Sequence, residues 1–151
     1  MTVQDFIVNY SATFEYLHRR FGKEAVVEFW KYLGSLNTEL YDLVGEKGLV
    51  GYLEYFYGAN GTCSRESVVG DARIDLRTGE YVERIDRCPS VGELRERGKR
   101  PYRYYCEHCY WLYNRSLEDH GFHYDVEFAL QPEGGYSDHC VCRAHKREDA
   151  K

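Results

Sequence analysis

Residues 101–130 read PYRYYCEHCYWLYNRSLEDHGFHYDVEFAL, and the hydrophobic period changes once within them, at Gly121. Before that glycine, Pro101 suits the first turn of a helix, where its missing N–H leaves no bond unmade. The segment predicts a third long helix from about Pro101 to Asp119, closed by Gly121. After the glycine, Phe122, Tyr124, Val126, Phe128 and Leu130 alternate with His123, Asp125, Glu127 and Ala129. That period of two is the mark of a half-buried strand.

Working outward, Pro132 to Tyr136 reads as a turn and Asp138 to Ala144 as the last strand. Upstream, Ala72, Ile74 and Leu76 alternate with Asp71, Arg73 and Asp75, Thr78-Gly79 turns the chain, and Tyr81 to Arg87 returns with weaker alternation. Cys88-Pro89 ends that hairpin. Proline cannot donate to a sheet ladder, which places Cys88 at a sheet rim or loop mouth.

The N-terminal third has the helical period instead. Thr2 and Asp5 resemble a capping box, and Val3, Phe6, Ile7, Tyr10, Phe14, Leu17 and Phe21 follow at steps of three and four. A second helix is expected from about Lys23 to Val44, bent at Gly34, and a short one from Leu49 to Tyr57. The sum is an α+β fold: N-terminal helices, then an antiparallel sheet of two hairpins covered by a helix. The expected organisation is one domain over 1–151, with a helical lead-in (1–61), a cysteine-bearing α+β part (62–145) and a charged tail (146–151).

Composition narrows the function classes. The net charge of −5 argues against phosphate-backbone binding, so nucleic acid is not an expected partner. No apolar run approaches the ~20 residues that span a bilayer, so no membrane partner is expected. The N-terminus lacks the layout of a secretory signal, and the expected location is cytoplasmic, where thiols stay reduced. Six cysteines then point to metal binding or thiol chemistry before disulfides. Aromatic residues make up 16% of the chain, with 15 tyrosines, which suits half-buried walls of pockets, interfaces or a small core.

Cys106 and Cys109 stand three apart on the expected helix and share a face; His108 is expected to point away from it. Their place near a helix N-terminus favours thiolate. Cys140 and Cys142 alternate on a strand and project from one side, with His139 on the other. Were the helix to pack on that side, four sulfurs would converge, a set suited to tetrahedral zinc, another transition metal or an iron–sulfur cluster. Two buried thiol pairs filling the interface explain the same pattern. Cys63 has no patterned partner. Asp138 and His139 flank Cys140, either as an acid–base pair or as ordinary turn and strand residues. The basic run Arg95, Arg97, Lys99, Arg100 and Arg103 is either a solvated loop or an anion holder.

The hairpin leading to Cys88-Pro89, the basic spacer, the helix carrying Cys106, Gly121-Phe122, and the Gly-Gly turn before Asp138-His139-Cys140 form one arrangement. It resembles the L-2-amino-thiazoline-4-carboxylic acid hydrolase-like family, and more distantly the 4-vinyl reductase-like small-molecule-binding domains. Phe21-Gly22-Lys23-Glu24-Ala25 is similar to that family's helical lead-in. The resemblance implies Cys88, Cys106 and Cys140 as the family-type cysteines, and ring-opening hydrolysis of a cyclic C–N bond in a small sulfur heterocycle. The chain departs from the pattern at Cys109 and Cys142.

Three functions follow. In a hydrolase, Cys88, Cys106 and Cys140 serve as nucleophile or metal ligands and His139 or Asp138 carries the proton. Arg100 or Arg103 holds a substrate carboxylate, and Tyr110 with its aromatic neighbours walls the pocket. In a sensor module, a small molecule or metal is held without turnover. In a structural zinc domain, Cys106, Cys109, Cys140 and Cys142 close around the metal. Homo-oligomerisation stays open.

Overall fold

At Gly121 the backbone turns from helix to sheet with φ 84°, a left-handed conformation that side chains resist. The computed structural model describes residues 3–59, 61, 63, 69–130 and 136–148. Among them run α1 (Val3–Phe21), α2 (Lys23–Ser35), α3 (Thr38–Lys47), α4 (Leu49–Tyr57), β1 (Val69–Ile74) and β2 (Tyr81–Arg87). They are followed by α5 (Pro89–Glu96), α6 (Glu107–Glu118), β3 (Phe122–Leu130) and β4 (Tyr136–Lys146). The fold is α+β, with N-terminal helices and an antiparallel sheet in the order β1-β2-β4-β3. Thr2 of the capping signal, the turn over 132–135, the tail from Asp149 and the side chain of Asp138 lie outside the described residues.

The last strand runs through the middle of the sheet, paired with β2 on one side and β3 on the other. Its register sets Cys142 between Glu83 and Val126, and Cys140 between Ile85 and Phe128. Helix α6 packs between β3 and the N-terminal helices α2 and α3. Two apolar clusters result. One joins α3, α4 and α6 to the sheet around Leu40, Tyr52, Phe56, Tyr81, Leu117 and Tyr124. The other joins α1, α2 and α5 around Phe14, Val26, Trp30, Val91, Leu94 and Tyr105. Phe14 and Trp30 are fully buried, and each such side chain contributes roughly 1.5–3 kcal/mol relative to exposure.

Several expected elements differ in extent. The helix expected over 23–44 is broken after Ser35, because the Asn37 side chain accepts from Leu40 N at 3.4 Å and caps a new helix. Gly34 does not mark a bend. A Cβ there would lie 2.8 Å from the Leu112 carbonyl oxygen and 2.9 Å from that of Trp111, so glycine permits the close crossing of α2 and α6. Helix α5 was not expected; Pro89 stands in its first turn, and Val91 and Leu94 bury against the N-terminal cluster.

The helix expected from Pro101 begins only at Glu107. Tyr102 N donates to Ser11 Oγ at 3.0 Å and the rings of Tyr102 and Tyr105 are buried, which holds 102–106 in tight turns. Leu76 does not join the strand face; it sits in the hairpin turn, 95% exposed. Among the described residues no helix is long and apolar enough to cross a membrane.

Candidate functional site

Between the two clusters lies a cavity of about 120 Å³, and all six cysteines line it. The sheet supplies Glu83 and Ile85 from β2, Tyr124 and Val126 from β3, and Cys140 and Cys142 from β4. Alternation explains the set: residues two apart on a strand share a face. Across from the sheet, α6 and its preceding turn supply Cys106, His108, Cys109 and Tyr113. Cys88 to Val91 close one side, and Phe56 and Cys63 another. Cys88 occupies the junction of β2 and α5, the rim position its proline neighbour predicted. No disulfide joins the six thiols.

The electrostatics favour the protonated form of two of the thiols, Cys109 and Cys142. Burial is the largest cause holding Cys109 well above its usual value of 9.0, with neighbouring Cys88 adding to it. Cys142 is also held well above 9.0, first by its hydrogen bond with Cys140 and then by burial. The expectation that the start of α6 makes Cys109 a thiolate is therefore corrected: desolvation of the charged sulfur outweighs the partial charge of a helix end.

His108 corrects a second expectation. It lines the cavity with the cysteines, 8% exposed, and its ring packs against Tyr10, Phe14, Trp30 and Tyr105 of the N-terminal cluster. Its Nδ1 lies 2.5 Å from the Tyr105 carbonyl oxygen. A carbonyl only accepts, so Nδ1 carries the proton and Nε2 keeps its lone pair. Burial pushes the imidazole down from 6.5 to about 4, against the raising effect of that bond, so the ring is neutral at pH 7. Cys109 Sγ lies 3.8 Å from Nε2 and 3.9 Å from Nδ1. Near-equal distances place the sulfur off the line of the Nε2 lone pair, so no nucleophile–base hydrogen bond is formed there.

Glu83 is the lining residue that sequence reasoning missed entirely. It is 4% exposed, and accepts from Tyr57 Oη at 2.7 Å and Tyr81 Oη at 3.1 Å. Burial raises its carboxyl above 4.5, while the two tyrosine bonds oppose the rise. The available signal was its inward position between Tyr81 and Ile85, where a carboxylate is costly. Cys63, which had no patterned partner, reaches the same cavity.

Other expected site residues lie elsewhere. Arg100 and Arg103 line a separate, open cleft of about 510 Å³ with Arg19, Lys99 and residues of α1. Tyr110 stands behind the cavity wall, its ring stacked on Tyr124 at 6.2 Å and 9°. His139 is exposed and lines a shallow groove with Arg84, Asp86, Glu127 and Val141, whose rim also includes Cys140. The structure thus unites Cys88, Cys106, Cys109, Cys140 and Cys142, and leaves His139, Arg100, Arg103 and Tyr110 outside.

Four or more thiols suit zinc or another soft metal by donor chemistry. Among the described residues, however, no group of three or more His, Cys, Asp or Glu side chains is arranged to hold a metal ion. Comparison with protein-family models, curated proteins and solved structures finds no match to this chain.

Proposed function

We propose that the thiol-lined cavity is a reaction site for a small nitrogen–sulfur heterocycle and that the chain is a hydrolase opening a cyclic C–N bond, as the resemblance implies. The observation that carries the reading is the convergence of Cys88, Cys106 and Cys140, distant in sequence, on one cavity with a carboxyl and a neutral imidazole. A thiol adding to the carbon of an amidine-like C=N bond forms the S–C bond and passes its proton to nitrogen. Cleavage of the ring C–N bond then frees an amine, and water displaces the cysteine, restoring the thiol. Net, one water is consumed. His108 Nε2 is the acceptor on hand for the proton transfers.

The cavity is smaller than the ~300–1,000 Å³ of ordinary ligand clefts, which favours a compact substrate. Among the described residues no lysine or arginine lines it. The reading places a substrate carboxylate toward the mouth, and Arg100 and Arg103 line a different cleft.

The test is turnover of a thiazoline-carboxylate panel by the wild type and by Cys106→Ser. Serine is close in size, so the thermal midpoint should stay near that of the wild type while turnover falls to background. Equal activity in the folded variant would reject Cys106 as the nucleophile. A second reading, reversible binding of zinc or another soft transition metal, is favoured by the six thiols alone. Metal analysis of protein purified anaerobically separates the two: a stoichiometric metal with no turnover selects the second.

A further inference from the structure

We infer that Glu83 is the ligand-anchoring residue of the cavity and that the group it receives is a cationic N–H donor of the amidinium or ammonium class, with anionic groups excluded. This rests on reading the cavity as a small-molecule site. It concerns a residue that neither the motifs nor the resemblance points to.

The argument starts from an imbalance. Glu83 is 4% exposed, yet its hydrogen-bond partners are two neutral hydroxyls, Tyr57 Oη and Tyr81 Oη. A buried carboxyl is retained at a cost unless a cation or a full set of donors compensates it. Among the described residues no lysine or arginine lines the cavity, and the imidazole of His108 is neutral there. A carboxylate offers about four acceptor positions, and two hydroxyls fill two of them.

Position supports the same conclusion. Glu83 pairs across the ladder with Cys142 on the central strand, so its carboxyl belongs to the cavity floor beside the inner thiols. The next residue, Arg84, ion-pairs with Asp71 and Asp86 and is exposed, so the neighbouring cation does not neutralise Glu83. Tyr57 bonds one carboxyl oxygen and Tyr81 the other, so each oxygen keeps a further acceptor position. Two parallel N–H donors on one carbon, as in an amidinium, match a carboxylate fork. Among the described lining residues, an anion entering the same space would face Glu83 and the thiols and meet no lysine or arginine.

Three isosteric probes of different charge test this: acetamidinium, acetamide and acetate, at neutral pH. Binding is read by ligand-observed NMR and by protection of Cys106 from iodoacetamide, mapped by mass spectrometry. In the wild type, acetamidinium should bind at least about tenfold more tightly than acetate, the scale of one charge-assisted hydrogen bond. Glu83→Gln should lose that preference while still binding acetamide. A folded Glu83→Gln that keeps the full preference for acetamidinium overturns the inference. So does a wild type that protects Cys106 equally with acetate, an outcome that leaves the cavity reading intact. Protection by none of the three overturns both. Should Glu83→Gln fail to fold, the wild-type probe order decides by itself.

Discussion

The cleft around Arg19, Lys99, Arg100 and Arg103 encloses about 510 Å³ and opens to solvent, whereas the thiol cavity encloses about 120 Å³ between helix and sheet. The two lie on either side of the same short segment, since Arg103 and Cys106 are three residues apart. Charges collect in the wet one. Arg19 pairs with Glu15 at 3.0 Å, and Arg103 lies 4.8 Å over the Tyr104 ring. Groups whose charged form burial disfavours collect in the smaller one: the Cys109 and Cys142 thiols, the His108 imidazole and the Glu83 carboxyl. Solvation sorted the side chains of one segment onto two faces, and nearness in sequence was a poor guide to which would share a site.

The largest expected difference between the two is in stability. Tyr124 lines the thiol cavity, is 1% exposed and stacks on Tyr110. Tyr124→Ala should cost about 3–5 kcal/mol by chemical denaturation, the range for removing a buried aromatic ring. A loss below about 1 kcal/mol would mean that the cavity wall collapses freely and the comparison of a rigid dry site with an open wet one fails.

Acid should distinguish them next. His108 has a folded pKa of about 4 against 6.5, so the native state binds fewer protons than the unfolded state between those values. Stability should therefore fall as pH drops from 6.5 toward 4, by on the order of 3 kcal/mol from this group, and level off below. His108→Gln should lose that part of the slope. Denaturant midpoints across that range measure it, and an unchanged slope in the variant would show that the imidazole titrates as if exposed.

At the top of the pH range the sign reverses with the thiols. Cys109 and Cys142 are raised well above 9.0, so they favour the native state below about that pH, and this contribution is lost as pH rises further. The smallest effect belongs to the open cleft. Arg100→Ala and Arg103→Ala should each change stability by no more than about 0.5 kcal/mol, the range for surface sites. Neither should alter the alkylation rate of Cys106. A change in that rate would join the two concavities after all.

Local backbone period was determined by the sequence itself. The alternation from Phe122 to Leu130 became β3, the stepping of Phe6, Tyr10, Phe14 and Leu17 became α1, and Gly121 stands where the two periods meet. The same-side projection of Cys140 and Cys142 was equally legible, because strand alternation is a property of one strand alone. Facing relations were decided only by the tertiary structure. Burial of Tyr102 and Tyr105 delayed α6 to Glu107, and packing of α1 and α2 set Tyr10, Phe14 and Trp30 against the His108 ring beside the cavity. Pairing of β2 with β4 carried Glu83 beside Cys142 and away from its exposed neighbour Arg84. Packing of α1 against the turn after α5 drew Arg100 and Arg103 to the opposite side from the thiols. A period records which side chains share a face of one element; which faces meet, and which residues lose their water when they do, depends on layers contributed by distant segments.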